Sequence, residues 1–305
     1  SNFARMRTRC SSSRVSTCIS RAFFGGSFTA VEPAYQIALL EAAQPFLGEG
    51  MFSGIRISTR PDAVDSAVLE RLERYHVTAV ELGAQSMCDR VLYQNERGHD
   101  AQAVRQASAM LRERGFSLGL QQMVGLYGST LQDEYDTLEQ LLACQPETLR
   151  IYPTAVLEGT KLAEYYFRGG YPQLSQEEVL DYCADALCRC HHAGVRVIRL
   201  GLHDTPSLRE HLLAGYFHPA YGELAESRLY LRQLKVAAAD CGKTELFVET
   251  APRTMSKVLG QHGCNRKALA EQGVSLRVRE NAAVAAGTLL AGQRVYEIFS
   301  ERNQR

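Results

Sequence analysis

The chain has 305 residues, of which 45% are hydrophobic, and its 34 basic residues balance 34 acidic ones. This length suits one large α/β domain or a domain and a half, and the hydrophobic fraction is typical of a globular protein with a full core. The net charge of zero excludes an overall electrostatic field that would attract nucleic acid or a membrane surface. No apolar run is long enough to span a bilayer. The nine cysteines are scattered, which indicates a reducing, cytosolic compartment rather than a secreted disulfide framework.

Residues 1–21 differ in composition from the rest of the chain. They include five arginines and six serines, no acidic residue and no hydrophobic period. This composition predicts an irregular or non-native segment, which disorder, a transit-type presequence or a misplaced reading frame would each explain.

From Ala22 onward, short runs typical of β-strands alternate with amphipathic stretches typical of helices. The predicted strands are "AFF", "GIRIST", "TAVELG", "LGLQQMVG", "TLRIYP" and "VRVIRLG". The predicted helices between them include "EPAYQIALLEAAQPFL", "DSAVLERLERYH" and "AQAVRQASAMLRERG", the last ending at Gly115. This alternation predicts right-handed βαβ units around a parallel sheet, in which functional groups collect at the carboxyl ends of the strands.

Small and polar residues follow five of the predicted strands. A glycine at one strand end is ordinary, but five such strand ends predict a polar rim where a sizeable ligand approaches the backbone closely. The segments are Gly25–Ser27, Thr59–Asp62, Gly83–Ser86, Gly125–Gly128 and Tyr152–Thr154.

The motifs at these strand ends resemble those of a known family. In chain order, "FFGGSFT", "GIRISTRPD", "VELGAQSM", "RGHD", "GLQQMVGLYGST" and "RIYPTAVLEGTKLAEYY" resemble radical S-adenosylmethionine (SAM) enzymes, in particular the radical domain of the elongator catalytic subunit and related bacterial proteins. The resemblance extends from about Ala22 to Asp204. It implies a partial (βα)6 TIM-like barrel over 22–205, lacking its first strand, with SAM and a 4Fe-4S cluster as the cofactors of the family.

The resemblance also implies positions for the cofactor. Gly25 and Gly26 would admit its amino group to backbone carbonyls, and Arg97 would bind its carboxylate. Gln85 and Ser86 would lie near the ribose. The "MVGLYG" turn would pass the adenine, with Tyr127 standing where the family usually has proline. The predicted cofactor-binding residues are Gly25, Gly26, Ser27, Arg60, Glu81, Gln85, Ser86, Arg97, Gly125 and Tyr127.

The cluster motif of the family is missing from the sequence. Radical SAM enzymes hold the 4Fe-4S cluster on C-x3-C-x2-C, whereas only Cys10 and Cys18 precede Ala22 here, with seven residues between them. We therefore expect no metal site and no radical chemistry from this chain as it stands. Cys183, Cys188 and Cys190 could form a metal site with the neighbouring histidines, but their spacing favours buried apolar side chains.

The C-terminal part has a different pattern. "TELFVETAPRTMSKVLGQHGCNRKALAEQGVSLRVRE" predicts strand, helix, G-x-x-G, helix, strand, and is similar to the core of a KH domain, whose loop clamps a nucleic-acid backbone. We expect a helical linker over 206–240, a KH-like α+β region over 241–285 and a tail over 286–305. The alternative is an ordinary turn between helices in a small α+β cap. The predicted nucleic-acid contacts are Gly260, Gln261, His262 and Gly263, with Arg253, Lys257, Arg266 and Lys267 around them.

These patterns favour a radical SAM family protein involved in RNA (tRNA) modification, inactive as this chain, with single-stranded RNA or tRNA as partner. The alternative is a non-catalytic nucleic-acid-binding or scaffold module on a degenerate barrel. An unrelated barrel enzyme would need a base or a lysine at a strand end, and no predicted strand ends in lysine. Glu81 could be such a base, or it could form an ion pair with Arg56 or Arg60 inside the barrel.

Overall fold

The computed structural model describes residues 20–23 and 27–300. Most of the predicted N-terminal segment, with Cys10 and Cys18, lies outside these residues, as does the Gly25–Gly26 pair. The predicted loss of a first barrel strand concerns the same undescribed segment. The chain divides into two compact units: unit 1 comprises Ser1–Gly128 and Tyr135–Arg150, and unit 2 comprises Ser129–Glu134 and Ile151–Arg305. This division differs from the predicted domain boundary at residue 205.

Strands and helices alternate through the first two thirds of the chain. The strands are β1 Ser20–Phe23, β2 Gly54–Thr59, β3 Val77–Gln85, β4 Ser117–Val124, β5 Thr148–Pro153, β6 Ala155–Leu157, β7 Arg196–Leu200, β8 Leu212–Gly215, β9 Glu245–Thr250, β10 Ser275–Glu280, β11 Thr288–Ala291 and β12 Arg294–Glu297. The α-helices are α1 Pro33–Ala43, α2 Ser66–Arg74, α3 Asp89–Gln94, α4 Ala101–Glu113, α5 Leu131–Ala143, α6 Lys161–Phe167, α7 Gln176–His192, α8 Pro206–His211, α9 Tyr221–Cys241, α10 Met255–Leu259 and α11 Cys264–Ala270.

The principal sheet has six strands in the order β1-β2-β3-β4-β5-β7. These are the six predicted strands, and β1 to β4 pair in parallel. The sheet follows chain order as a parallel half-barrel, so the predicted partial TIM-like barrel is confirmed. The carboxyl ends of its strands consequently lie along one edge.

The two faces of the sheet in unit 1 differ in burial. Along β2, Ile55 and Ile57 are fully buried, whereas Arg56 and Ser58, which alternate with them, are only partly buried. Successive side chains of a strand point to opposite faces, and α4 packs against β3 and β4. One face is therefore an apolar core under helices, and the other is a more open, polar face, which we call the inner face.

Two helices of unit 1, α2 and α4, begin where the sequence offers a cap. Asp65 accepts a hydrogen bond from the backbone N–H of Val68 at 2.8 Å, and Asp100 accepts one from Ala103 at 2.8 Å. Each carboxylate satisfies a backbone donor that the first turn of an α-helix leaves unpaired. Local sequence therefore determines where α2 and α4 begin.

Unit 2 contains a four-stranded sheet in the order β10-β9-β11-β12. The predicted order of strand, helix, G-x-x-G, helix and strand is present as β9, α10, the loop, α11 and β10, with β9 and β10 parallel. Its core includes residues from α7 and α9 as well as from the sheet, among them Cys188, Leu229, Leu246 and Leu276.

Two segments of unit 2 contain strands where the sequence suggested none. In the predicted tail, β11 pairs antiparallel with both β9 and β12. In the predicted helical linker, β8 lies between α8 and α9 and pairs with β6. All three strands in these segments have four residues, which is too short for a clear two-residue period.

Among the helices of the described residues, none combines the length and apolar character needed to cross a membrane.

Candidate functional site

The segment after β1 is hydrogen-bonded to the carboxyl end of β2 through side-chain hydroxyl groups. The hydroxyls of Ser27 and Thr59 lie 2.9 Å apart, and the backbone N–H of Arg60 donates to Ser27 Oγ at 2.9 Å. Farther in, the rings of Phe23 and Phe28 lie with their centroids 5.6 Å apart. The chain on both sides of the undescribed Gly25–Gly26 pair is thus held at the predicted rim.

The end of β3 bends sharply at Gln85, whose φ of 65° is in the left-handed region. This conformation costs a non-glycine residue on the order of 1 kcal/mol. Two contacts support the bend, since the carbonyl of Ala84 faces the N–H of Ser86 at 2.8 Å and Nε2 of His99 at 3.1 Å. A Cβ on Gly83 would lie 2.7 Å from Gln85 Nε2, so the glycine makes room for the amide.

Ser86 has a different environment from the one predicted. It is 4% exposed, its hydroxyl accepts from the N–H of Cys88 at 3.2 Å, and it lies 3.3 Å from the hydroxyl of Thr137. These contacts give Ser86 a place in the turn before α3. Its predicted contact with a ribose therefore depends on Gln85, the residue beside it.

Two arginines lie close together at the rim. The Nε of Arg97 is buried and has no hydrogen-bond partner among the described residues. Burial lowers the pKa of Arg97, and the nearby charge of Arg60 lowers it further. Arg60 forms an ion pair with Asp62, whose oxygens lie 2.5 and 2.9 Å from its guanidinium nitrogens. Arg97 is therefore a desolvated cation beside a second cation, which is an environment suited to an anionic group.

The turn after β4 is held by residues that the sequence analysis did not identify. Asn95 donates to the carbonyl of Tyr127 at 2.9 Å and accepts from its N–H at 3.2 Å. Arg90 donates to the carbonyl of Gly128 at 2.6 Å. This clamp fixes the backbone of the turn at Tyr127. Asparagine is common at helix ends, so the position of Asn95 after α3 did not indicate its contact with Tyr127 in the sequence.

Glu81 lies on the inner face, deeper than the rim. It is 1% exposed and accepts from Arg150 at 2.6 and 3.0 Å, from Arg56 at 3.2 Å and from Gln121 at 3.1 Å. Both carboxylate oxygens are occupied, which favours the ion-pair alternative over a base. Of the two predicted partners of Glu81, Arg56 forms the ion pair, whereas Arg60 pairs with Asp62. Glu81 precedes Gln85 by four residues, or about 13 Å along a strand, so it is separated from the rim.

The G-x-x-G loop of unit 2 is exposed and has a defined backbone. Gly260, His262 and Gly263 have φ values of 75°, 52° and 72°. A Cβ on Gly260 would lie 2.4 Å from the sulfur of Cys264, so this position requires glycine. Gln261 and His262 are both exposed.

A buried asparagine anchors the base of this loop. Asn265 is 3% exposed, and its Nδ2 lies 3.0 Å from the carbonyl and the hydroxyl of Ser227 and 3.1 Å from the carbonyl of Val258. It thereby joins α11 to α9 and α10. The loop conformation is therefore built into the fold of unit 2.

The positive charge predicted around the loop is only partly available. Lys257 forms an ion pair with Glu226 at 2.5 Å, whereas Arg253 is exposed on the other side of α10 in sequence. Arg266 and Lys267 are exposed on α11. The basic residues of α11 are thus the better candidates for contact with a phosphate.

The described residues contain no group of three or more Cys, His, Asp or Glu side chains that could hold a metal ion. Cys183, Cys188 and Cys190 are buried in α7, and burial raises the pKa of Cys190 to about 12. These thiols act as small apolar side chains, whereas His191 and His192 are exposed. Cys10 and Cys18 are not among the described residues.

A parallel half-barrel with a polar rim at its strand ends is the architecture of a cofactor-binding barrel, and comparison with known proteins identifies the family. Residues 20–141 match the Radical SAM superfamily model, and residues 146–231 match the Radical_SAM C-terminal domain. The two segments cover about two thirds of the chain. The chain belongs to the radical SAM superfamily.

The relatives of known sequence include RNA-modifying proteins. A tRNA uridine(34) acetyltransferase of Dehalococcoides mccartyi is 36% identical over 122 residues, covering 39% of this chain and 26% of the relative. Human elongator complex protein 3 is 30% identical over 137 residues, covering 44% of this chain and 25% of the relative. An uncharacterized protein of Methanocaldococcus jannaschii is 31% identical over 138 residues, covering 44% of this chain and 43% of the relative. The matches thus span less than half the length of each of these relatives.

Among solved structures, the archaeal Elp3 of Methanocaldococcus infernus, with an N-terminal deletion, matches with a TM-score of 0.61. The identity is 24%, and the match covers 69% of this chain and 53% of that chain. This likeness establishes a shared fold. Residues 232–305, with the G-x-x-G loop, lie outside both matched family models.

Proposed function

We propose that this chain is a SAM-binding domain of a protein that takes part in tRNA modification. The family supplies the cofactor class, and relatives that bear the names tRNA uridine(34) acetyltransferase and elongator complex protein 3 support the RNA substrate. In the family, the cofactor would supply a carbon radical when it is bound to a cluster.

The observation that carries the proposal is the unpartnered, buried Nε of Arg97. A buried guanidinium nitrogen without a hydrogen-bond partner is costly, and a ligand carboxylate would relieve that cost with two parallel hydrogen bonds. The methionine end of SAM has such a carboxylate. In this arrangement the amide of Gln85 faces the ribose, and the turn at Gly125 lies beside the adenine.

We infer that the residues present accommodate SAM but not the cluster. The sequence contains no C-x3-C-x2-C motif, and the cluster iron normally chelates the amino-acid end of the cofactor. We therefore infer that the chain alone binds SAM weakly, through its rim, and performs no radical chemistry.

Replacing Arg97 with glutamine is expected to weaken SAM binding about 30-fold, which corresponds to about 2 kcal/mol for a lost charge-assisted contact. NMR titration of the full chain up to roughly millimolar SAM measures the weak affinities expected without a cluster. Arg97→Lys retains the charge but not the two-pronged geometry, and it should bind with intermediate affinity.

Arg114→Gln is the matched control, because Arg114 is an exposed arginine paired with Glu73 and is expected to have no effect on SAM. The proposal fails if Arg97→Gln and Arg114→Gln bind SAM equally well. Tight SAM binding by the unmodified chain would instead show that the rim suffices without metal.

Anaerobic reconstitution with iron and sulfide is expected to yield no stoichiometric cluster on this chain, because no three thiols have the required spacing. Iron and acid-labile sulfide analysis, together with the visible absorption spectrum, checks this. About four irons per chain, as in a 4Fe-4S cluster, would contradict the expectation.

A second activity, binding of single-stranded RNA by the G-x-x-G loop, is favoured by one specific observation. The loop presents Gln261 and His262 to solvent between two glycines in left-handed conformations, and Arg266 and Lys267 are exposed on the helix that follows. Small residues let a phosphate approach the backbone, and nearby cations compensate its charge.

A further inference from the structure

The inner face of unit 1 contains a polar network across four strands. Its centre is the buried carboxylate of Glu81, which binds Arg150 of β5 through two nitrogens and Gln121 of β4 through one. Gln121 also donates to the hydroxyl of Ser58 on β2 at 3.2 Å. Two parallel contacts are the strongest geometry for an arginine and a carboxylate, so the charge of Glu81 is committed mainly to Arg150.

Arg56 is the member of this network with the weakest attachment. Within the described residues its one hydrogen bond runs from Nη1 to Glu81 at 3.2 Å, and that oxygen is already used by Arg150. Its side chain is 19% exposed, compared with 1% for Glu81. A guanidinium has five donors, so Arg56 keeps donors for a second partner while losing much of its contact with water.

The surroundings of Glu81 on this face are kept free of bulky side chains. A Cβ on Gly119 would lie 2.8 Å from Glu81 Cγ and 2.9 Å from Thr148 Oγ1. Thr148 is 1% exposed, and its hydroxyl has no hydrogen-bond partner among the described residues. The face thus combines a partly satisfied cation with an unsatisfied hydroxyl group.

We propose that the inner face binds an anionic group, a phosphate or a carboxylate, of a small-molecule co-substrate used together with the tRNA, with Arg56 as its principal ligand. Glu81 and Arg150 hold Arg56 in place, and the anion occupies donors that Glu81 does not. The proposal rests on the proposed function in taking the inner face as the place of the substrate. The distance of about 13 Å along β3 from Glu81 to Gln85 separates this subsite from the residue that faces the ribose in the proposed function.

Calorimetric titration of the full chain with inorganic pyrophosphate, and separately with malonate, tests the proposal and distinguishes phosphate from carboxylate. Arg56→Gln is expected to weaken binding of the preferred anion about ten- to a hundredfold, since a charge-assisted contact is lost. Arg56→Lys should retain part of the affinity. Arg56→Gln leaves Glu81 paired with Arg150, so we expect it to fold.

Ser58→Glu is a second variant that keeps Arg56 in place. It sets a carboxylate two residues along the same face of β2, and it should compete with the anion and also weaken binding at least about tenfold. Circular dichroism confirms that both variants are folded. The proposal is overturned if neither anion binds the wild type at low salt, or if Arg56→Gln and Ser58→Glu bind as the wild type does.

The Arg97→Gln variant separates this proposal from the proposed function. Its affinity for the anion should lie within about twofold of the wild type, a smaller change than the roughly tenfold loss that one lost contact produces. Its affinity for SAM should fall. If Arg97→Gln loses the anion and Arg56→Gln keeps it, the anion binds at the rim, and the inner-face proposal is wrong while the proposed function stands. If instead Arg97→Gln leaves SAM binding unchanged and Arg56→Gln loses the anion, only the proposed function fails.

A competing source of phosphate is the RNA backbone. Titration with single-stranded RNA in the presence of saturating pyrophosphate distinguishes the two, because a small-molecule subsite leaves RNA affinity unchanged. Loss of RNA binding both under these conditions and in Arg56→Gln would assign Arg56 to RNA and overturn the small-molecule proposal.

Discussion

Replacing Glu81 with leucine is expected to destabilise unit 1 by about 3–5 kcal/mol, the range measured when one partner of a buried ion pair is removed. The carboxylate is 1% exposed, and it faces two guanidinium groups that are 19% and 15% exposed. Without Glu81 those two charges would repel each other in a poorly hydrated place. Urea denaturation, followed by circular dichroism, measures the change in the free energy of unfolding of the first transition.

Two further variants separate the charge of Glu81 from its shape. Glu81→Gln keeps the side-chain length and some hydrogen bonds, so its loss should be smaller. Glu81→Leu combined with Arg150→Leu removes one of the unpaired charges and should recover part of the stability. Glu73→Gln is the control, because its exposed pair with Arg114 is expected to contribute less than about 1 kcal/mol. If Glu81→Leu lowers the free energy of unfolding by less than about 1 kcal/mol, which is the contribution of an exposed ion pair, then water screens the network fully.

Replacing both Gln261 and His262 with aspartate is expected to abolish binding of single-stranded RNA while the melting temperature hardly changes. Both side chains are exposed, so two added negative charges would face phosphate without disturbing the core. His262 has a left-handed φ of 52°, which aspartate tolerates better than most residues. Asn265 should keep the base of the loop in place. Fluorescence anisotropy with labelled RNA and thermal denaturation measure the two quantities.

The control for added charge places the same two aspartates elsewhere in unit 2, at Gln272 and Gln293, which are also exposed. This variant should bind RNA nearly as well as the wild type. The affinity of the wild type should fall with salt, with a logarithmic slope of about −0.7 per phosphate neutralised. If the loop variant binds as well as the control, or if the wild type does not bind at low salt, the loop is only a turn between helices.

Much of the fold of unit 1 could be predicted because its elements are long enough to show a pattern. The strands at Gly54–Thr59 and Ser117–Val124 have six and eight residues, and their period or apolar run appears in the sequence. The four-residue strands in the predicted linker and tail, such as Leu212–Gly215, could not be identified in this way. Their strand conformation depends on a partner strand that is remote in sequence, and no local pattern specifies that partner.

The candidate site was predictable in location but not in its contacts. Glycines and polar residues at consecutive strand ends located the rim, because parallel strands bring their carboxyl ends to one edge. Whether a side chain at the rim is available depends on its neighbours. Ser86 proved to be occupied by the turn before α3, and Arg97 proved to have an unpartnered nitrogen. The predicted role of Gly25 and Gly26 stays a prediction, because both lie outside the described residues.

The sequence by itself determined where the longer strands lie along the chain, the points where α2 and α4 begin and the glycine-flanked loop at Gly260. These features depend on side-chain period, capping groups and backbone conformation within a few residues, so they are local. Only the tertiary structure decided which charge pairs with which: Arg60 with Asp62, Lys257 with Glu226, and Glu81 with both Arg56 and Arg150. The partners of Glu81 are 25 and 69 residues away, and an ion pair forms only where folding brings two groups within about 4 Å and removes the water between them.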